Sequence, residues 1–211
     1  SHKGVYFEND MLEALDQIRA ASKWDDDITA TGAQAVEGSL VKAGDIKIEI
    51  VDPALTSIIV SIAVEAKAGE SMGLTEISRE AKRGREARST DAGIGVMVRE
   101  ARNAKQAMIS SANSGKDSIV VVDWVPGEMN DDPAQWVALE AAYTITRARL
   151  IAEAVSDTGA IDADAIRKQA NQVETDLGAF RNLKTKTTHA KKSVEAIENA
   201  VEALETKLKA S

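Results

Sequence analysis

Residues 57–67 read S-I-I-V-S-I-A-V-E-A-K. An apolar run ends in Glu65 and Lys67, two positions apart. Along a strand, positions i and i+2 share a face. Glu65 and Lys67 therefore project together, on the side of Ser61 and Ala63. Val60, Ile62, Val64 and Ala66 form the opposite, core-facing side. A carboxylate and an ammonium placed side by side at the end of a buried strand suggest a site.

Working upstream, residues 45–50 read D-I-K-I-E-I, with Ile46, Ile48 and Ile50 on a core face and Asp45, Lys47 and Glu49 on the other. Asp52-Pro53 breaks this strand. Two strands joined by a short loop predict an antiparallel hairpin, in which the start of one lies beside the end of the other. Asp45 and Glu65 then meet, with Lys67 nearby. The stretch before them, residues 23–38, is acidic and turn-rich and reads as a loop, with a short first strand around Ala33–Val41. Residues 5–22 follow a helical period. Phe7, Met11, Ala14, Leu15 and Ile18 share one side, with Leu12 at its edge. Glu8 falls on the flank of that apolar stripe and Glu13 faces solvent. A Glu among core-facing residues needs a partner, because an unpaired buried carboxylate is expensive.

Downstream, residues 68–73 form a Gly-containing turn, and Thr75-Glu76 opens a helix that runs to about Arg88. Its basic content is Arg79, Lys82, Arg83, Arg85 and Arg88. Residues 92–98, A-G-I-G-V-M-V, read as a buried strand whose two glycines indicate close packing against a helix. Residues 101–110 predict a short helix and residues 118–124 a fifth strand. Pro, Gly, Asn and Asp cluster over residues 126–133 and mark a boundary. Beyond it, residues 134–155 predict a long helix with Trp136, Leu139, Tyr143 and Leu150 on its period. From Leu183 the apolar positions 187, 190, 194, 197, 201, 204 and 208 alternate steps of four and three, a heptad pattern. The expected organisation is a domain over residues 3–127 and a helical coiled-coil extension over 134–211, which dimerises or docks a partner. Ser1-His2, without Met, reads as a tag remnant on a fragment of a longer protein.

Composition narrows the chemistry. The 211 residues include no Cys and two His, which excludes disulfides, Cys-type zinc sites and His-rich metal sites. A metal here is held mainly by carboxylates, which points to Mg²⁺ or Mn²⁺. No apolar run reaches the roughly 18 residues of a membrane span, and the chain reads as soluble and cytoplasmic. The net charge of −8 argues against a protein that coats nucleic acid non-specifically. The charge is uneven, however. Residues 79–105 hold eight Lys/Arg against four Asp/Glu, net +4, whereas residues 1–70 hold six against thirteen, net −7.

Asp45, Glu65 and Lys67 fit one reaction class. Two carboxylates hold a divalent ion that polarises a phosphate and lowers the pKa of a water. A neighbouring Lys orients or deprotonates that water and steadies the developing charge. Glu8 adds a further ligand or fixes a water on the metal.

The order helix, Gly-Asp strand, Glu-x-Lys strand, helix, strand resembles the PD-(D/E)XK, or restriction-endonuclease-like, nuclease superfamily over residues 3–124. The residues that carry the likeness are Lys3-Gly4 with Phe7-Glu8, Lys42 with Gly44-Asp45, and Val64-Glu65-Ala66-Lys67. Residue 44 is Gly where the motif's name has Pro. The resemblance implies an α/β domain with an αβββαβ core and a mixed central sheet. It implies a Mg²⁺- or Mn²⁺-dependent nuclease acting on nucleic acid, DNA ahead of RNA. Asp45, Glu65 and Glu8 would be its metal-binding acids and Lys67 its catalytic lysine. Lys82, Arg83, Arg85 and Arg88 would face the phosphate backbone. A second reading is a non-catalytic interaction protein in which Glu65 and Lys67 form an ordinary ion pair. A phosphate-binding NTPase is excluded by the lack of a G-x-x-x-x-G-K-[ST] stretch.

Overall fold

A computed structural model describes residues 2–32, 43–55, 58–68, 72–99, 108–124 and 136–156. The elements run α1 (His2–Ser22), β1 (Asp27–Ala30), β2 (Ile46–Ile50), β3 (Val60–Lys67), α2 (Leu74–Ala87), β4 (Ala92–Val98), β5 (Ile109–Ala112), β6 (Asp117–Val122) and α3 (Val137–Ser156). Among the described residues, six strands form one mixed sheet in the order β1-β2-β3-β4-β6-β5. β3, β4 and β6 are parallel in the centre, and the outer pairs are antiparallel.

Strand pairing sorts the side chains into two layers. Glu65 lies beside Gly95 and Lys67 beside Met97, while Gly95 and Met97 lie beside Ile119 and Val121. This face receives α2, whose Ile77 and Ala81 pack with Met97, Ile119 and Val121. The helix comes so close that a Cβ on Gly95 would stand 2.8 Å from Ile77 Cγ1 and 3.1 Å from the Ile77 carbonyl oxygen. The expected reason for the two strand glycines is thus observed. The other face carries Ile46, Ile48, Val60, Ile62, Val64, Ile94, Val96, Val120 and Val122, all buried. It lies opposite α2, under α1 and α3. The α1 stripe of Phe7, Met11, Ala14, Leu15 and Ile18 is buried as its period requires, and Leu12 is half-buried at its edge.

With helices on both faces, β3 is buried throughout except at Lys67, so its polar face is interior rather than solvated. β2 keeps the plain alternation of a strand near the sheet's edge, with Ile46, Ile48 and Ile50 inside.

Three expectations change. The first strand occupies Asp27–Ala30, inside the stretch read as a loop. It is a short polar edge strand with three exposed residues, so no period marks it. The strand expected around Ala33–Val41 lies outside the described residues. Ile109 and Ser110, read as the end of a helix, begin β5, whose I-S-S-A is held by pairing with β6 rather than by its own apolar pattern. The rest of that predicted helix, residues 101–107, lies outside the described residues. Finally, α3, grouped by sequence with the helical extension, packs on β6, β4 and β3. Its Leu139, Tyr143 and Leu150 are buried there. The predicted boundary at residues 126–133 and the heptads from Leu183 lie outside the described residues.

A buried polar cluster fastens α3. Asp26 Oδ2 accepts from Tyr143 Oη at 2.6 Å and Arg147 Nε at 2.9 Å, and its Oδ1 accepts from the Val51 amide at 2.9 Å. The Arg147 guanidinium also reaches Asp52 Oδ2 at 3.2 Å and lies 4.7 Å from the Trp24 ring centroid. Burial, and then the hydrogen bond to Asp26, push the Tyr143 hydroxyl well above its ordinary pKa. Among the described residues no helix is long and apolar enough to cross a membrane.

Candidate active site

The β2–β3 register pairs Ile46 with Val64, so Asp45 falls beside Glu65. Backbone and side chain both confirm this placement. The Asp45 amide donates to the Val64 carbonyl at 2.9 Å, and the Ala66 amide donates to Asp45 Oδ2 at 2.7 Å. Lys67 Nζ stands 2.9 Å from Glu65 Oε2 and 3.5 Å from Asp45 Oδ2. The expected trio is therefore assembled, with its acids bridged by the ammonium. It is graded in depth: the side chains are 1% exposed at Glu65, 13% at Asp45 and 28% at Lys67.

A carboxylate as buried as Glu65 requires hydrogen bonds. Its second oxygen, Oε1, accepts from the Gly44 amide at 2.6 Å. Gly44 adopts φ +76°, and a Cβ there would stand 2.9 Å from Arg88 Cγ. Left-handed backbone and crowding together call for glycine at this position. The loop before β2 is held from two more directions. Thr31 Oγ1 donates to the Gly44 carbonyl at 2.6 Å, and the Thr31 and Gly32 amides donate to the Asp45 carbonyl at 2.8 and 3.0 Å. From α2, Arg88 Nε donates to the Ala43 carbonyl and Arg88 Nη2 to the Thr31 carbonyl, both at 2.7 Å. Gly84, also on α2, lets the helix settle onto the acid: a Cβ there would lie 3.0 Å from Glu65 Oε1.

The electrostatics follow from this packing. Burial, and then the charge of Glu65, push the Asp45 carboxyl up to about 6, against the pull of Lys67 and the Ala66 amide. Glu8, half-buried on α1, adds a smaller push in the same direction. Burial draws the Lys67 pKa down, but Glu65 and Asp45 outweigh it and hold the group above its ordinary value. Lys67 is accordingly a charged hydrogen-bond donor at neutral pH.

Glu8 thus acts on the site through its charge. Among the described residues no group of three or more His, Cys, Asp or Glu converges as a ligand set. Glu13 is exposed and accepts a hydrogen bond from Gln17 at 3.2 Å. Asp45, just before β2, and Glu65 in β3 offer hard oxygen donors, and burial followed by their crowded negative charge raises Asp45. Mg²⁺ commonly takes one or two protein carboxylates and keeps several waters, so this donor pair fits it or Mn²⁺.

The basic helix divides. Arg85 Nε pairs with Asp117 Oδ1 at 2.7 Å, and both side chains are largely buried. Arg88 clamps the loop before Asp45. Both point inward, and their charges are used in holding α2 to the sheet. Lys82 and Arg83 are half-exposed and make helix-surface pairs with Glu86 at 3.7 Å and Glu80 at 2.9 Å. Arg79 is exposed. Thr31, Gly84 and the inward role of Arg88 were not apparent from the sequence. Gly84 alone left a signal, because a glycine inside a helix costs about 1 kcal/mol and implies a close approach.

Comparison of the chain with protein-family models, curated proteins and solved structures gives no match.

Proposed function

We propose that this domain is a Mg²⁺- or Mn²⁺-dependent nuclease of the restriction-endonuclease-like, PD-(D/E)XK type, hydrolysing phosphodiester bonds in nucleic acid, DNA ahead of RNA. The observation that carries the reading is the Asp45–Glu65–Lys67 trio, with Lys67 Nζ 2.9 and 3.5 Å from the two acids. Support also comes from its position, at the end of a buried strand pair between an acidic helix flank and a basic helix.

Asp45 and Glu65 are the residues that would hold the metal. The ion, when bound, supplies Lewis acidity toward the phosphoryl group and activates water. The chain's own residues do the rest. The Gly44 amide and the wall of α2 fix Glu65 in one rotamer. Lys67 donates hydrogen bonds to the attacking water or to a phosphoryl oxygen, where negative charge grows as the water oxygen bonds to phosphorus and the leaving oxygen departs. Lys82 and Arg83, on the outer side of α2, meet the phosphate backbone, each exchanging a weak surface pair for a phosphate contact.

The test incubates the protein with DNA and with RNA, in Mg²⁺, Mn²⁺ or EDTA, beside Asp45→Ala and Lys67→Ala. Cleavage that needs the metal and falls at least ~10²-fold in each variant is expected, the size typical of losing an electrostatic donor. Metal-dependent cleavage that survives both substitutions overturns the assignment. The second reading is a non-catalytic interaction domain, favoured by the fact that Lys67 already bridges both acids. It predicts no cleavage in Mg²⁺ or in Mn²⁺.

A further inference from the structure

At the opposite end of the sheet lies a hollow of about 690 Å³. It opens at the starts of β3, β4 and β6, beside the second half of α3. At roughly 3.3 Å per residue along β3, it lies about 23 Å from the Lys67 end. It belongs to no step proposed above. Its volume falls within the roughly 300–1,000 Å³ of small-molecule pockets.

The lining is chemically divided. Ile58 and Ile59 are exposed at the mouth, and Leu150 and Ile145 line the α3 side. The polar side is carried by Arg149 and two hydroxyls. Arg149 Nη2 donates to the Lys116 carbonyl at 3.2 Å, while its Nε is buried without a hydrogen-bond partner. Its ion-pair partner on the next turn, Glu153 Oε1, is 4.0 Å away, beyond hydrogen-bond range. Ser118 Oγ and Thr146 Oγ1 face each other at 3.4 Å, long for a hydroxyl pair, although Thr146 is buried. Charges also sort by depth. The Arg149 side chain is 17% exposed, whereas Glu153 is 44% exposed. Asp91 lies in solvent and its Oδ2 accepts from the Ser61 amide at 2.8 Å. The carboxylates sit at the rim and are screened; the guanidinium lies deeper, where screening is weaker.

We propose that this hollow binds a small oxyanion on an apolar body, a carboxylate or a phosphate monoester. Its head meets Arg149 and the Ser118–Thr146 hydroxyls, and its body lies on Ile58, Ile59 and Leu150. A guanidinium in a partly desolvated site is suited to either head, because its donors match two oxygens at once. The hydroxyls complete the head's remaining acceptor capacity, and the isoleucines replace solvent around the body. This site stands whether or not the nuclease reading does.

The test titrates the isotope-labelled protein with octanoate, phenyl phosphate, inorganic phosphate and neutral octanol. NMR follows the amides of Lys116, Ser118, Thr146 and Arg149, with Lys67 as the remote reference. Saturable shifts with at least one of the two organic anions are expected, and the one that binds names the head. Inorganic phosphate and octanol, each lacking one half of the ligand, bind at least tenfold more weakly. Arg149→Gln weakens the organic anion at least tenfold. Ile59→Asp, at a residue 77% exposed and so without a folding role, does the same. The proposal is overturned if neither organic anion saturates, if octanol binds as tightly as octanoate, or if Ile59→Asp leaves the affinity unchanged.

Discussion

Arg88 separates two explanations of a basic helix. If it met DNA, Arg88→Ala would leave stability within about 0.5 kcal/mol, as surface changes do. It would also lower the salt slope of DNA binding by about one. The structure predicts the reverse. Arg88 donates to the Ala43 and Thr31 carbonyls at 2.7 Å each, and both residues are buried. A buried acceptor stripped of its partner costs about 1–3 kcal/mol. Two such acceptors, partly relieved by water entering the vacated space, give an expected loss of about 2–4 kcal/mol. Urea unfolding in EDTA measures it, and DNA binding across salt concentrations measures the slope, expected to stay unchanged. Cleavage should fall through kcat, because the clamp sets where Asp45 stands rather than how tightly substrate is held. A coupled experiment sharpens the test. Gly44→Ala suffers both a left-handed φ of +76° and a Cβ 2.9 Å from Arg88 Cγ. In the Arg88→Ala background the second penalty is gone, so Gly44→Ala should cost less there, and a double-mutant cycle reports the difference. Unchanged stability with a reduced salt slope would refute the clamp.

Three further outcomes follow from the same packing. Asp45 titrates near 6 when folded against 3.8 ordinarily, so between these values the folded chain holds more protons and stability falls as pH rises. Asp45→Asn should therefore stabilise the metal-free protein at pH 7 by up to about 3 kcal/mol. The gain should vanish below about pH 4, and urea unfolding in EDTA across that range measures it. Gly95→Ala forces a Cβ to within 2.8 Å of Ile77 Cγ1 and should cost about 1–3 kcal/mol, partly recovered by Ile77→Val. Asp26→Ala leaves the buried Arg147 with Asp52 as its remaining acid partner and strips Tyr143 of its acceptor, and should cost about 3–5 kcal/mol, whereas Asp26→Leu with Arg147→Met should cost less; thermal melts of the two variants beside the parent compare them.

How much was legible depended on whether a residue's role was periodic or tertiary. The burial of α1, the alternation of β2 and the buried β4 with its glycines all follow from patterns within one element, and the structure keeps them. The Asp45–Glu65 pairing needed one more step, a short hairpin with fixed register, and it also held. What was not legible depends on neighbours distant in sequence. β1 and β5 are edge strands whose residues, D-I-T-A and I-S-S-A, carry no period and exist because β2 and β6 pair with them. Arg85 and Arg88 look like any exposed helix cations until Asp117 and the Thr31 and Ala43 carbonyls are placed against them. α3 looks like the first helix of an extension because its period is as good as that of a free-standing helix. Only the sheet beneath it shows what it covers.

The clamp bears on the choice between a site and an ordinary ion pair. A Glu–Lys pair at a strand end is stable enough in water and constrains nothing around it. Here four other positions are shaped by where two carboxylates stand. Gly44 holds a left-handed turn so that its amide meets Glu65. Gly84 gives up helix propensity so that α2 touches the same acid. Thr31 and Arg88 fix the carbonyls on either side. The product of these constraints is an Asp45 that is destabilising when ionised without a cation. A fold selected for stability alone would have an apolar residue or Asn at that position. An ion that binds only the folded state would recover that deficit, by RT ln(1 + [L]/Kd). On the proposed metal-dependent reading the cost of an ionised Asp45 would be offset by the bound ion, whereas an ordinary ion pair gives no reason for carrying it.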